Sequence, residues 1–383
     1  MIRLLGCGLL AVTVGARGGE PKLPTAEPVG RIEIVATFDG PMPTGVTVSR
    51  KGRVFVNFPR WGDTVDFTVA ELKDGKPVPY PGAAFNRLDK DRPAECLVSV
   101  QSVVVDPDDR LWLLDTGSVE FGPTLPGGAK LVGVDLKTNK VFKTISFPEE
   151  VALKTTYLND VRFDLGRGKG GVAYITDSSS NGPNGLIVVD LATGKGGRRL
   201  HDHPSTKADK NFLPIVEGRP LMNRPPGGKP THMTFGCDGI ALSHDGKHLY
   251  YCPLSTRRLY RVGTDALVDE KASDEEMAKA VEDLGDRGFA SDGLESDDKG
   301  RLYLTDYEDN GVLRRSADGS YETLVHDPRV LWPDTLSLAA DGYLYFTANQ
   351  LHRQAQFHGG KDLRRKPYAL FRVKVDAGPV LLR

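Results

Sequence analysis

Three aspartates, Asp238, Asp292 and Asp334, occupy one recurring context shared with Thr44, Gln101 and Asn159. Each heads a short β-rich strand that is followed by a turn and a second apolar strand. Carboxylates that converge in a half-buried place repel one another, and their pKa values rise. A bound cation relieves this, and an all-oxygen set suits a hard ion such as calcium, or magnesium with retained water. Asn159, Asp238 and Asp292 are the candidate metal ligands. A protonated amine ligand, or water with a shared proton, relieves the same repulsion. Asp and Asn also commonly begin turns, so a purely structural role stays open. For proton-transfer chemistry, Asp292 and Asp334 are the candidate bases, with Asn159 and Gln101 orienting a substrate.

A second set, Asp115, Asp177, Asp306 and Asn349, ends the returning strands of four repeats, which argues for a turn role. Asn349 departs from the Asp pattern and stands beside Asp334-Thr335, so it is the ligand candidate of this set. Asp106-Pro-Asp-Asp109 and Asp297-Asp298 resemble calcium-loop fragments, but no Glu stands at loop position twelve and both fall at hairpin turns. His201-Asp-His203 has no further ligands at helical spacing and reads as solvent-exposed histidine. No nucleophile elbow, HExxH, phosphate-binding loop or dinucleotide-binding glycine signature occurs. Trp112 reads as packing within a strand, and for Trp61 and Trp332, at strand ends, both packing and walling a channel mouth are open.

The hairpin that positions these residues recurs six times. Its copies begin at Thr44, Gln101, Asn159, Asp238, Asp292 and Asp334, at intervals of 57, 58, 79, 54 and 42 residues. Most copies are followed by further strands, as in Ala129-KLVGVDLKT, Gly185-LIVVDLATG and Gly311-VLRRSADGSYETLV. About four strands per unit, at this spacing, predict the blades of a propeller. The expected fold is all-β: a six-bladed β-propeller over residues 30–383, one domain, with a small helical insertion. Arg31-IEIVATF is a spare strand able to close the ring. In such a ring the heads of the innermost strands face the central channel. Residues 201–236 form a Pro-rich excursion with weak periodicity. Residues 273–284 read as a surface helix, with Ser273 and Glu276 as a capping box and Met277, Val281 and Leu284 on one face.

Fifty Lys+Arg against 51 Asp+Glu leave no basic excess for nucleic acid. Glycine, 43 of 383 residues, indicates a turn-rich globular chain, and no apolar run reaches the length of a membrane span. Met1-Ile2-Arg3, the apolar stretch to Val14 and Val14-Gly15-Ala16 read as a signal peptide over residues 1–16, placing the protein outside the cell or in the periplasm. A lipoprotein site at Cys7 has too short a hydrophobic stretch before it. Of the remaining cysteines, Cys237 and Cys252 flank one hairpin; a bridge between them and two buried free thiols are both open.

Val100-QSVVVDPDDRLWLLDTG, Gly239-IALS with Leu249-YYCPLS, and Leu331-WPDTL with Tyr345-FTANQL together resemble the yellow/major royal jelly protein family. With Arg53-VFVNFPRW the resemblance spans roughly residues 30–375. It implies a secreted six-bladed propeller whose axial pocket holds a small aromatic molecule, in some members a biogenic amine, and a link to dopachrome tautomerisation. It also implies polar contacts from the last blade, which here are Thr335 and Asn349. A second similarity, carried by Asn159-Asp, Asp238-Gly and Asp292-Gly, is to gluconolactonase and regucalcin propellers. It implies a divalent ion, such as calcium, that polarises a lactone carbonyl. Thr44 stands where those proteins use Glu. The two resemblances lead to two functions, an amine- or aromatic-binding propeller with isomerase potential and a calcium-dependent lactonase. A non-catalytic interaction scaffold is the third.

Overall fold

The computed structural model describes residues 27–383; the leader expected over residues 1–16 lies outside them. Six antiparallel four-stranded sheets are arranged as the blades of a propeller. Blade 1 runs Val46–Val48, Val54–Asn57, Val69–Lys73 and Lys76–Pro79. Blades 2 and 3 begin with Val100–Val105 and Leu158–Asp164, blades 4 and 5 with Cys237–Leu242 and Leu294–Ser296. Blade 6 takes Pro333–Leu338, Tyr343–Ala348 and Tyr368–Lys374 from one end of the sequence and Ile32–Phe38 from the other. Ile32–Phe38 pairs with Tyr368–Lys374, so the expected spare strand closes the ring.

A single sheet of this kind leaves both faces uncovered, and the packing answers that directly. Six apolar clusters fill the six gaps between neighbouring blades. Phe55 and Leu113 meet between blades 1 and 2, Trp112 and Phe163 between blades 2 and 3, and Tyr174 and Ile240 between blades 3 and 4. Ala241 and Leu304, Tyr303 and Phe346, and Tyr345 and Val56 do the same around the rest of the ring. Each fully buried aromatic or large aliphatic side chain contributes about 1.5–3 kcal/mol of transfer free energy.

Near the axis the blades meet through backbone. Thr176 Oγ1 donates to the carbonyl of Asp238 at 2.8 Å, and Thr347 Oγ1 donates to that of Thr44 at 2.6 Å. The glycines after the leading aspartates explain themselves here. A Cβ on Gly239 would lie 2.4 Å from the Asp292 carbonyl oxygen, and one on Gly293 would lie 2.2 Å from that of Asp334. Only glycine lets these strand heads approach so closely.

One expectation is corrected, and one left open by the sequence is resolved. The capping box of Ser273 and Glu276 is present, but the helix is only Asp274–Lys279. Val281 and Leu284 belong to the strand Val281–Asp286, which pairs with Arg258–Gly263 as the outer edge of blade 4. A blade lacking its fourth strand would leave Arg258–Gly263 as an unpaired edge, and that tertiary demand outweighs helical spacing. Cys237 lies opposite Pro253 rather than Cys252. Successive strand residues face opposite sides, so Cys237 packs between blades 3 and 4 and Cys252 between blades 4 and 5; both are buried free thiols.

Asp106 and Asp297 are the turn residues expected at their hairpins. Asp106 accepts from Arg110 Nε at 2.7 Å and Trp112 Nε1 at 2.8 Å, and Asp297 accepts from Arg301 Nε at 2.6 Å and Tyr303 Oη at 2.9 Å. Among the described residues no helix is long and apolar enough to cross a membrane.

The close approach at Gly293 yields a direct test. Gly293→Ala is expected to lower unfolding free energy by ~1–3 kcal/mol, as forced overpacking does, measured by denaturant titration. A variant as stable as the parent contradicts the account of the strand heads.

Candidate functional site

The leading residues do converge at one end of the channel. Gln101, Asn159, Asp238, Asp292 and Asp334 line one cavity together with Trp61, Phe121, Tyr157 and Phe235. Thr44 is not among them. Its hydroxyl accepts from Asn57 Nδ2 at 2.7 Å and is wholly buried between blades 1 and 2.

The polar floor is a network of paired groups. The Asn159 amide donates to Asp238 Oδ1. Trp332 Nε1 donates to Asp292 Oδ2 at 2.7 Å, and Asn349 Nδ2 donates to Asp334 Oδ2 at 2.7 Å. Thr335 Oγ1 donates to the other Asp334 oxygen at 3.2 Å. Thr335 and Asn349, expected to touch a ligand, thus stand behind Asp334 and orient it; neither lines this cavity. Trp332 is wholly buried, stacked between Tyr307 at 4.1 Å and His352 at 5.9 Å. It therefore does not wall the mouth, and its indole is a fixed donor to the floor.

Burial governs the acidity of this floor. It lifts Asp238 well above the usual carboxylate range, and the Asp292 and Asp334 charges add to that. Asp334 is lifted the same way, first by burial and then by Asp292, while hydrogen bonds from Asn349 and Thr335 pull it back. Asp292 rises only to about 7, because hydrogen bonds from Trp332 and Asp238 oppose its desolvation. The three titrate as one unit, and at neutral pH they share protons rather than carry three charges.

Above the floor is an aromatic wall. Trp61 stacks on Phe121 at 5.0 Å, and Phe121 meets Tyr157 at 5.1 Å and Phe235 at 6.5 Å. Trp61 Nε1 donates to the Tyr157 hydroxyl at 2.6 Å, which donates onward to Gln101 Oε1 at 3.2 Å. Gln101 is thereby held in place. Phe121 and Phe235 come from loops, Phe235 from the end of the 201–236 excursion, and Tyr157 from the residue just before an inner strand. Their types and neighbours gave no periodic signal. Trp61 lies where the sequence placed it.

The second aspartate set is structural. Asp115 accepts from the amides of Val98 and Ser99 at 2.7 and 2.9 Å and from Lys130 Nζ at 2.9 Å. Asp177 accepts from the Tyr157 amide at 3.0 Å and Arg198 at 2.9 Å. Asp306 accepts from the amides of Glu308 and Asp309. None of the three lines the cavity.

Calcium fits this donor set poorly. Asn159, Asp238 and Asp292 are adjacent, yet one oxygen of each aspartate already faces an N–H donor, and the Asn159 amide presents its nitrogen to Asp238. Among the described residues no group of three or more His, Cys, Asp or Glu is arranged to hold a metal ion.

Fold and site together define a six-bladed propeller with an acidic, aromatic-walled axial pocket. The chain belongs to the major royal jelly protein family, whose model matches residues 98–376. It is 28% identical over 230 residues to major royal jelly protein 1 of Apis mellifera, covering 56% of this chain and 48% of that protein. It is 26% identical over 276 residues to protein yellow of Drosophila madeirensis, covering 66% and 44%. The chain spans about half the length of these curated relatives or less. Among solved structures it is similar to a luciferin-regenerating enzyme, with TM-score 0.56, 14% identity and coverage of 92% and 99%. It is also similar to the calcium-binding regucalcin of Agrobacterium tumefaciens, with TM-score 0.54, 16% identity and coverage of 94% and 100%. At these identities the structural likeness establishes the fold alone.

The raised pKa of Asp238 carries a stability consequence. Unfolded, the group ionises near its ordinary value of 3.8; folded, it stays protonated. Folding therefore takes up a proton, and stability falls as pH rises above the unfolded value. Asp238→Asn is expected to raise Tm by about 2–4 °C at neutral pH, and to change it little near pH ~3, where both states are protonated. Thermal melts at the two pH values check this; a neutral-pH loss of Tm contradicts it.

Proposed function

We propose that this protein binds a small protonated aromatic amine in its axial pocket. The observation that carries the reading is the acidic floor of Asp238, Asp292 and Asp334 directly beneath the wall of Trp61, Phe121 and Phe235. An ammonium seated on the floor gives the shared negative charge its counterion and forms charge-assisted hydrogen bonds. The ligand's ring packs against the aromatic wall, where cation–π attraction adds to area burial. Membership of the major royal jelly protein family is consistent with a ligand-binding propeller.

The affinity for such an amine is expected to rise as pH passes through about 7, where Asp292 ionises, and to level off until the amine itself loses its proton. Calorimetry with phenethylamine, and with phenethyl alcohol as the neutral control, tests this. Asp292→Asn is expected to weaken phenethylamine by about tenfold or more above pH ~7, the scale of one lost charge-assisted contact. Equal binding of the alcohol, or affinity that falls across neutral pH, sinks the reading.

The same floor supports a second role, isomerisation of a dopachrome-like quinoid substrate. An Asp292 that titrates near neutrality beside a protonated Asp238 is an acid–base pair. Ionised Asp292 would remove a proton from carbon, and a neighbouring protonated carboxyl would return one elsewhere on the same molecule, with no net oxidation. Asp292→Asn is then expected to abolish turnover of dopachrome in a spectrophotometric assay; full residual activity excludes this role.

A further inference from the structure

Beside the acidic pocket is a recess of the opposite charge. The turns Leu351–Arg353 and Ala355–Phe357 contribute to both. Leu351, Gln354 and Gln356 line the acidic pocket, whereas His352, Arg353 and Phe357 line the recess. The short hairpin of Ile215–Val216 and Arg219–Pro220 and the segment 361–365 supply much of the remaining wall. Backbone bonds tie these walls together. Arg224 N donates to the Gln356 carbonyl at 2.7 Å, Gly359 N to that of Arg224 at 3.0 Å, and Leu363 N to that of Arg353 at 2.9 Å.

Six cationic side chains line the recess, Arg219, Arg224, Arg353, Lys361, Arg364 and Arg365, against two carboxylates, Glu217 and Asp362. Two of the six are already paired. Arg353 Nε donates to Glu217 at 2.9 Å, and Arg364 donates to the two Asp63 oxygens at 2.8 and 2.9 Å and to Asp362 at 3.0 Å. The side chains of the other four make neither an ion pair nor a hydrogen bond with the described residues. Arg219, Lys361 and Arg365 are exposed and Arg224 is half-buried, so their charges face solvent. Like charges gathered in a concave place focus the field, and the apolar Val216, Leu221 and Phe357 of the same lining strengthen it by lowering the local dielectric.

We propose that this recess binds a small oligophosphate, a molecule with two or more linked phosphate groups. The excess to be met is several positive charges within one recess. A phosphate group brings about 1.5–2 negative charges and three acceptor oxygens, so a short chain of them suffices, whereas each carboxylate brings a single charge. Three of the four unpaired cations are arginines, whose planar forks match phosphate oxygens with two parallel N–H donors.

The test is calorimetric titration of the full chain with tripolyphosphate at low ionic strength. One tripolyphosphate per chain is expected, bound about tenfold or more tightly than orthophosphate or citrate. Arg219→Gln, Arg224→Gln and Lys361→Gln are each expected to weaken it by about fivefold or more while keeping the parent Tm. Lys140→Gln, which removes an exposed cation from the outer strand of blade 2, is expected to leave it unchanged. None of these residues lines the acidic pocket, so the outcome is independent of amine binding there. ATP distinguishes two sources of the same chemistry: affinity equal to that of tripolyphosphate supports a nucleotide-borne chain, and weaker affinity supports a free one. Absence of binding, equal affinity for orthophosphate or citrate, or an equal loss from Lys140→Gln overturns the site. Heparin bound about tenfold or more tightly than tripolyphosphate also overturns it, since that marks an open track for a long polyanion.

Discussion

Backbone contact between neighbouring strand heads is the constraint on which the rest of the molecule depends. Gly239 and Gly293 let the carbonyls of Asp292 and Asp334 press against the preceding blade. The same approach carries the side chains of Asp238, Asp292 and Asp334 into one cavity. The apolar clusters fill the gaps between blades. It is the glycine contact that fixes how closely the carboxylates are crowded. The acidity of the pocket is in that sense a product of ring closure.

Crowding has a cost that the protein meets with hydrogen-bond donors and protons. Each aspartate of the floor receives an N–H from a residue fixed by its own packing: Asn159, the sandwiched Trp332, and Asn349. The donors are unequal in effect, and Asp292 is left as the most acidic of the three. A site held partly protonated at neutral pH is strained relative to a neutral one, as functional sites commonly are. The two ends of the channel then divide the chemistry. One end is acidic and walled by aromatic rings; the other is lined mainly by apolar side chains, with Arg50, Arg162, Asp106, Asp109 and Glu295 among them.

Much of this was legible in the sequence because propeller strands alternate with a period of two and the turn residues repeat. Six hairpins located the blades, and their leading residues located the floor of the pocket, with Thr44 the exception. The outer strand Val281–Asp286 was hidden because Ser273 and Glu276 announce a helix and Val281 and Leu284 continue its spacing; only the unfilled edge of blade 4 reveals the strand. Phe121 and Phe235 were not legible at all, since loop paths carry no periodicity. Thr335 and Asn349 were found as polar residues of the last blade, but their roles were not. Whether such a residue faces the ligand or the carboxylate behind it depends on side-chain direction, which spacing does not give.

The account rests most heavily on the three carboxyls acting as one partly protonated unit. Carboxyl-carbon NMR of the ligand-free protein, with aspartate side chains labelled and assigned through Asp→Asn variants, reads that property directly. The account predicts that Asp292 titrates near neutrality and that Asp238 and Asp334 remain protonated beyond it, with each curve perturbed by the others. Three carboxyls that titrate independently in the ordinary aspartate range would contradict it.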